Sequence, residues 1–318
     1  MEAPLPVIDL ANYSDEAGFL RLAGEIGAAC RDVGFFYVVN HGIPREVIEG
    51  AFRESQLFFA LPEAEKLKLD KEIIGGGRGY WGFGTELHDK AKGADNKESF
   101  ALSLDLSPED PDVIAKKPFR ILNQWPAGVP AFKDTMNTYY NSCMKLGERI
   151  HRAFAEDLKL PRDFFGPKFS KPMGALRLLH YPPAPKDCVH PPGIGTHTDY
   201  GSLTLLATDD CGGLEVRKRS GEWISAFPIE GAFVVNIGDC MMRWTNDVYV
   251  STPHRVIHTS PTRSRYSIAY FYDANPETVV ETIPSCIPEG QEVKYPPILA
   301  SDYLDWRFQQ SVQFDEKY

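Results

Sequence analysis

Two periodicities divide the chain. In its first half, apolar residues recur every three or four positions over 17–33, 44–60 and 131–158, which predicts amphipathic helices. Between the first two, the apolar run 34–40 predicts a strand. From Met173 onward the pattern shortens to alternating runs broken by proline and glycine. Strands are expected near 175–181, 202–208, 214–217, 232–237, 254–256 and 265–272. A closing helix is expected over 301–314, with Ser301 as its cap. Strands of this kind close into a double-sheet jelly roll. Pro182-Pro183-Ala184-Pro185 and Pro191-Pro192-Gly193 read as loop punctuation rather than a linker. The expected organisation is a helical and strand region over 1–172 and a β-rich core over 173–318, together one catalytic unit. The series Gly75-Gly76-Gly77 marks a loop, equally a lid or plain surface.

The strand alternation then gives the candidate chemistry a geometry. In an extended strand, residues two apart share a face. His197 and Asp199 would therefore reach one ion from one strand, with His254 returning beside them from a later one. Two imidazoles and one carboxylate leave part of a metal's coordination sphere open, the pattern of non-haem Fe(II) that activates dioxygen. Arg265, Ser267, Ala269, Phe271 and Asp273 would share the inward face of the last long strand. A planar guanidinium there suits the carboxylate of a small organic acid. On the earlier strand, Ala175, Arg177, Leu179 and Tyr181 share a face. Each signal has a plainer reading. A lone HxD occurs by chance, a lone histidine is more often a satisfied buried group, and Arg265 could pair with a neighbouring acid. Inward charges at Arg177 and Asp273 need partners, because unpaired burial is costly; an ion pair between the two is the plainer outcome there. Phe271 fits either a ring stacked on substrate or ordinary core. His258, sharing a face with His254, is the rival for the metal; His41 reads as a structural turn residue, and His88 and His190 carry no signal.

Composition narrows the class. Hydrophobic content of 43% and charged content of 25% over 318 residues are those of a globular protein. A formal net charge of −10 argues against broad binding to nucleic acid or anionic lipid. No apolar run approaches a membrane span, and Met1-Glu2-Ala3-Pro4 lacks the features of a signal peptide, so the cytoplasm is the expected setting. The six cysteines show no paired spacing, which fits reduced thiols and no structural zinc. Nothing in the chain points to an obligate protein partner.

The text around these residues resembles a known family. The stretch from His197 to Leu206, then Gly212-Gly213-Leu214-Glu215-Val216, Val235-Asn236-Ile237-Gly238-Asp239, Trp244-Thr245-Asn246 and Ser251-Thr252-Pro253-His254-Arg255-Val256 resemble the iron-binding half of the isopenicillin N synthase-like Fe(II)/2-oxoglutarate-dependent dioxygenases. Pro6-Val7-Ile8-Asp9-Leu10, the passage from Cys30 to Ile43, Phe58-Phe59-Ala60-Leu61-Pro62, Arg78-Gly79-Tyr80, Lys97-Glu98-Ser99-Phe100 and Asn123-Gln124-Trp125-Pro126 are similar to its amino-terminal half. The resemblance implies a distorted double-stranded β-helix packed against amino-terminal helices, a mixed α and β fold. It implies Fe(II) on His197, Asp199 and His254, with 2-oxoglutarate and O2 as cosubstrates and ascorbate as a candidate reductant. Arg265 and Ser267 would fix the far carboxylate of 2-oxoglutarate, helped by Tyr181. Arg177 and Asp273 fall at substrate-lining positions of relatives, with Leu179 beside them and Tyr80 able to reach in from the glycine-rich loop. The chain departs from the family where Leu179 replaces an asparagine and His180 a tyrosine. The implied reaction oxidises an unactivated C–H bond of a small molecule, of the secondary-metabolism kind, releasing succinate and CO2; desaturation or cyclisation are variants. A 2-oxoglutarate-independent oxidase resembling isopenicillin N synthase or aminocyclopropane-carboxylate oxidase is the alternative within the family. A non-catalytic binding protein on the same fold is the alternative outside it.

Overall fold

Alternation within single strands separates two cores. In Phe35–Val39, Phe36 and Val38 pack to one side and Phe35 and Tyr37 to the other. In Arg265–Tyr272, Ile268, Tyr270 and Tyr272 join the first core while Ala269 and Phe271 join the second. A sheet buried on both faces results, and each fully buried large side chain contributes about 1.5–3 kcal/mol.

The structure is a computed structural model that describes residues 3–12, 15–75, 77–86, 95–186 and 191–312. His88, Cys188 and His190 lie outside the described residues. In chain order the elements of the amino-terminal half are β1 (Val7–Asp9), α1 (Glu16–Asp32), β2 (Phe35–Val39), α2 (Arg45–Phe59), α3 (Glu63–Leu67), α4 (Lys71–Ile74), β3 (Gly79–Trp81), β4 (Glu98–Ser103), α5 (Pro111–Ile114) and α6 (Phe132–Asp157). The second half holds β5 (Ala175–Tyr181), β6 (Gly193–His197), β7 (Leu203–Thr208), β8 (Leu214–Arg217), β9 (Trp223–Ala226), β10 (Phe233–Ile237), α7 (Asp239–Trp244), β11 (His254–Ile257), β12 (Arg265–Tyr272), β13 (Val279–Val280), β14 (Ile298–Leu299) and α8 (Ala300–Val312).

An eight-stranded sheet runs β1-β2-β10-β7-β12-β5-β4-β3, and a four-stranded sheet runs β6-β11-β8-β9. All pairs in these sheets are antiparallel except β1 with β2. Helices α1, α2 and α6 pack on one face of the large sheet, and the small sheet covers the other. This is the mixed α and β jelly roll that the strand pattern and the resemblance led us to expect. Two strands of the amino-terminal half sit at each edge of the large sheet, so residues 1–172 and 173–318 build one sheet together.

Local chemistry sets the boundaries. Asp15 caps α1, its side chain accepting from the Gly18 amide at 2.6 Å. Gly34 turns α1 into β2 at φ +66, where a Cβ would come within 2.1 Å of the Val250 carbonyl oxygen. Gly147, an interior glycine of α6, leaves room for the ring of Tyr272, which a Cβ would approach to 2.9 Å. Two expectations change. Ser301 is not a cap: α8 already begins at Ala300. Also, β6 ends at His197, so Asp199 belongs to the turn before β7 rather than to the same strand.

Candidate active site

The three predicted ligands meet. His197, at the end of β6, is the direct antiparallel partner of His254, at the start of β11. Their rings lie 4.3 Å apart between centroids. Asp199 turns back from the loop, placing Oδ1 3.8 Å from His197 Nε2 and 3.6 Å from His254 Nε2. One ligand atom from each of the three lies within 4.8 Å of the others. The surroundings suit a cation. His197 Nδ1 faces the Gly195 carbonyl at 2.8 Å and His254 Nδ1 the Thr252 carbonyl at 3.0 Å. Each carbonyl can only accept, so the proton sits on Nδ1 and the Nε2 lone pair is left for a metal. The other carboxylate oxygen of Asp199 accepts from Thr204 Oγ1 and from Asn236 Nδ2, the latter at 2.6 Å. Thr204 and Asn236 are direct partners across β7 and β10. The rival His258 is turned away, with Nε2 on the Arg263 carbonyl at 2.7 Å. His41 is held in its turn by the Ile43 amide and the Gly231 carbonyl.

The inward faces of β12 and β5 line a cavity of about 160 Å³ beside the triad. Arg265, Ser267, Ala269, Phe271 and Asp273 all reach it, as do Ala175, Arg177, Leu179 and Tyr181. At one end Arg265 is 0% exposed. Its Nε donates to the Gly212 carbonyl at 2.6 Å and its Nη1 to Ser267 Oγ at 3.0 Å, while its Nη2 is buried with no hydrogen-bond partner. The ring of Tyr181 lies 4.8 Å beneath the guanidinium, and burial pushes its phenol up to about 12. A buried cation that lines a cavity and keeps an idle donor calls for an anion. Leu179, opposite Ser267 in the ladder, adds an aliphatic wall to this end. His180 faces the helices instead, between Glu98 Oε1 at 2.7 Å and Ser264 Oγ at 3.0 Å.

At the other end the expected Arg177–Asp273 ion pair does not form. Ala269 is the ladder partner of Arg177, so Asp273 lies four residues, roughly 13 Å, further along. Arg177 Nη2 instead donates to Glu86 Oε1 at 2.6 Å and to Ser99 Oγ at 3.1 Å, with its guanidinium 5.0 Å from the centre of the Trp81 ring. Glu86 also pairs with the buried Lys97. Asp273 is buried and takes no hydrogen bond or ion pair among the described residues. Burial, with the charge of Asp199, pushes its carboxyl up to about 7 against the opposing pull of Arg78. Gly201 gives it space, since a Cβ there would come within 1.6 Å of Asp273 Oδ1. Tyr80 is a correction. Alternation on β3 turns it into the helical core, where its hydroxyl donates to Glu98 Oε2 at 2.7 Å, and Trp81 faces the cavity in its place. Gly77 of the glycine series also lines the cavity.

Sequence reasoning missed Trp81, Glu86, Lys97, Thr204 and Asn236. Thr204, Asn236 and Lys97 stood in recognisable motifs without a role. Alternation from β3 would have separated Trp81 from Tyr80 had that short strand been read. A second cavity, of about 290 Å³, lies against α6. Its one histidine, His151, has both ring nitrogens engaged, by the Gly147 carbonyl and Ser202 Oγ.

Comparison with known proteins places this geometry. Residues 5–128 match the family described as non-haem dioxygenase in morphine synthesis N-terminal, and residues 172–274 match the 2OG-Fe(II) oxygenase superfamily. A 2-oxoglutarate-Fe(II) type oxidoreductase of Emericella nidulans is 36% identical over 98% of this chain and 92% of its own. A homoarginine-6-hydroxylase of Arabidopsis thaliana is 38% identical over 92% of this chain and 90% of its own. The crystal structure of a full-length Neurospora crassa protein in complex with alpha-KG and thymine superposes with a TM-score of 0.85 at 33% identity, covering 96% of both chains. No described helix is long and apolar enough to cross a membrane. Relatedness over nearly the full length, joined to a His-Asp-His cluster beside a buried arginine, makes this chain a member of the Fe(II)/2-oxoglutarate-dependent oxygenases, enzymes that act on small molecules.

Proposed function

We propose that this enzyme hydroxylates an unactivated C–H bond of a small nitrogen-containing molecule, with His197, Asp199 and His254 holding Fe(II) and Arg265 and Ser267 holding 2-oxoglutarate. Residues 1–172 and 173–318 act as one catalytic unit in this reading. The observation that carries it is the idle, buried Nη2 of Arg265, which shares one cavity with the triad. Bound Fe(II) and 2-oxoglutarate supply the oxidising power, with succinate and CO2 as the by-products. The chain's own residues do the rest. Thr204 and Asn236 fix Asp199 so that Oδ1 faces the imidazoles. Arg265 and Ser267 orient the far carboxylate of the cosubstrate, and the Tyr181 ring supports the guanidinium from below. Leu179 and Ala269 keep water from that end.

The substrate end supports a molecule with both an N–H donor and a carbonyl or carboxylate. Asp273 offers an acceptor that is unpartnered among the described residues. Arg177 offers Nη1, which donates no hydrogen bond among the described residues, from a guanidinium already oriented by Glu86 and Ser99. Phe271 and Trp81 give the flat or aliphatic body an apolar wall. Homoarginine and thymine, associated with two of the relatives above, both carry these groups. The test is succinate release from 2-oxoglutarate under Fe(II) and air, screened against free pyrimidines, guanidino acids and apolar acids without N–H groups. Stimulation confined to the N–H compounds is expected. Stimulation only by apolar acids overturns the substrate class, and no succinate with any compound overturns the cosubstrate assignment.

A further inference from the structure

The carboxy-terminal helix lines the cavity and touches the segment that carries two of the three triad residues. Leu304 and Phe308, one turn apart on α8, line the cavity. The Phe308 ring meets Tyr200 edge-on at 5.7 Å between centroids. A polar stripe runs beside this apolar one. Arg307 Nη1 donates to Asp239 Oδ2, Arg307 Nη2 donates to Thr198 Oγ1 at 3.3 Å, and the guanidinium lies 4.1 Å from the centre of the Tyr200 ring. Tyr303, one turn earlier, donates its hydroxyl to the same Asp239 oxygen at 3.0 Å. Asp239 is itself seated by its backbone N–H, which donates to the Asp199 carbonyl at 2.8 Å, and it accepts from Thr198 Oγ1 at 3.3 Å. Thr198 stands between His197 and Asp199 in the chain, and Tyr200 follows them. One buried carboxylate thus joins α8 to the turn on which the cation site is built.

We propose that α8 is the roof of the catalytic cavity and that Arg307 is a positioning residue, coupling the seating of this roof to the turn 197–200. The roof is apolar where the buried Leu304 faces inward and the half-exposed Phe308 lines the rim, so it screens the substrate end from water. The latch is a planar fork, stacked on Tyr200 and hydrogen-bonded to two different oxygens, a geometry a lysine ammonium cannot reproduce. The inference rests on the assignment of His197 and Asp199 given above.

The test uses the full-length protein as wild type, Arg307→Met, Arg307→Lys and Phe308→Ala. Hydrogen exchange of the peptide covering 300–312 needs neither iron nor substrate. In Arg307→Met its amides are expected to exchange about tenfold faster, the loss of one charge-assisted contact network, while those of β7 and β10 keep their rates. Arg307→Lys, which keeps a charge for Asp239 but not the stacking, falls between. With Fe(II) and 2-oxoglutarate as the probe, substrate-free succinate formation is expected to change more than threefold in Arg307→Met. Phe308→Ala keeps the latch, so its helix stays protected while succinate formation still changes. Exchange at the wild-type rate in Arg307→Met overturns the latch. A loosened helix with unaltered succinate formation overturns its coupling to the site, and unaltered succinate formation in Phe308→Ala overturns the roof. If Arg307→Met fails to fold, Arg307→Lys and Phe308→Ala carry the same comparisons. Wild-type protein that forms no succinate at all counts against the cosubstrate assignment instead, and the exchange comparison still decides the latch.

Discussion

Replacing Arg265 by methionine separates cosubstrate binding from stability. The arginine is fully buried and makes two hydrogen bonds to the protein, to the Gly212 carbonyl and to Ser267. Its Nη2 makes none. In the proposed complex the guanidinium grips the far carboxylate of 2-oxoglutarate through two charge-assisted hydrogen bonds, at about 1.5–3 kcal/mol each. Their loss weakens 2-oxoglutarate binding by a factor of about 10²–10⁴. The unliganded fold responds differently. Methionine forfeits the two protein hydrogen bonds but relieves the burial of an incompletely paired charge, so the net change stays within about 2 kcal/mol. Anaerobic titration of the Fe(II) protein with 2-oxoglutarate, followed by visible absorption, gives the first quantity. Urea unfolding of the metal-free protein gives the second. A 2-oxoglutarate affinity within threefold of wild type refutes the reasoning, because the idle nitrogen would then have no ligand to serve.

Three further outcomes follow from the same site. Asn236→Ala and Thr204→Val release Asp199 Oδ2 and are expected to weaken Co(II) or Mn(II) binding 10- to 100-fold by calorimetry; undiminished affinity would show that Asp199 needs no such support. Asp273 is raised in the folded state to about 7 from an ordinary value of 3.8, so the folded protein holds its proton more tightly and stability is lost as pH rises between those values. The full loss is about 4 kcal/mol in metal-free protein, and Asp273→Asn is expected to flatten that slope in urea melts from pH 4 to 8. An unaltered slope removes Asp273 as its source. Gly201→Ala places a methyl against Asp273 Oδ1 and is expected to cost about 1–3 kcal/mol, less in an Asp273→Ala background; an equal cost in both backgrounds rules out that collision.

The sequence made the inward faces of β5 and β12 legible because strict alternation carries through every residue of both strands. The same periodicity located Arg265, Ser267, Phe271 and Asp273 on the cavity wall. It failed at short or interrupted elements. Asp199 follows the end of β6, so its approach to the imidazoles comes from a turn that alternation does not describe. Tyr80 and Trp81 lie on a strand of three residues, too brief for a period to show. The partner of Arg177 was misread for another reason. Face-sharing says which residues point the same way but not how far apart they stand, and Glu86 comes from a different segment altogether. Arg307 lay in a helix whose existence was readable, while its docking against Asp239 is a tertiary fact.

The interleaving of the two halves in the large sheet bears on how the polypeptide assembles on the ribosome. β2 hydrogen-bonds to β10, with Phe36 opposite Val235, about 200 residues later in the chain, a separation that slows folding. At typical elongation rates that edge waits on the order of 10–40 s for its neighbour, exposing Phe35 and Tyr37 meanwhile. Strand β4 waits more briefly for β5. Neither amino-terminal strand pair therefore has its native sheet until residues 173–318 follow, and cotranslational aggregation of the nascent amino-terminal segment is the hazard that this topology creates.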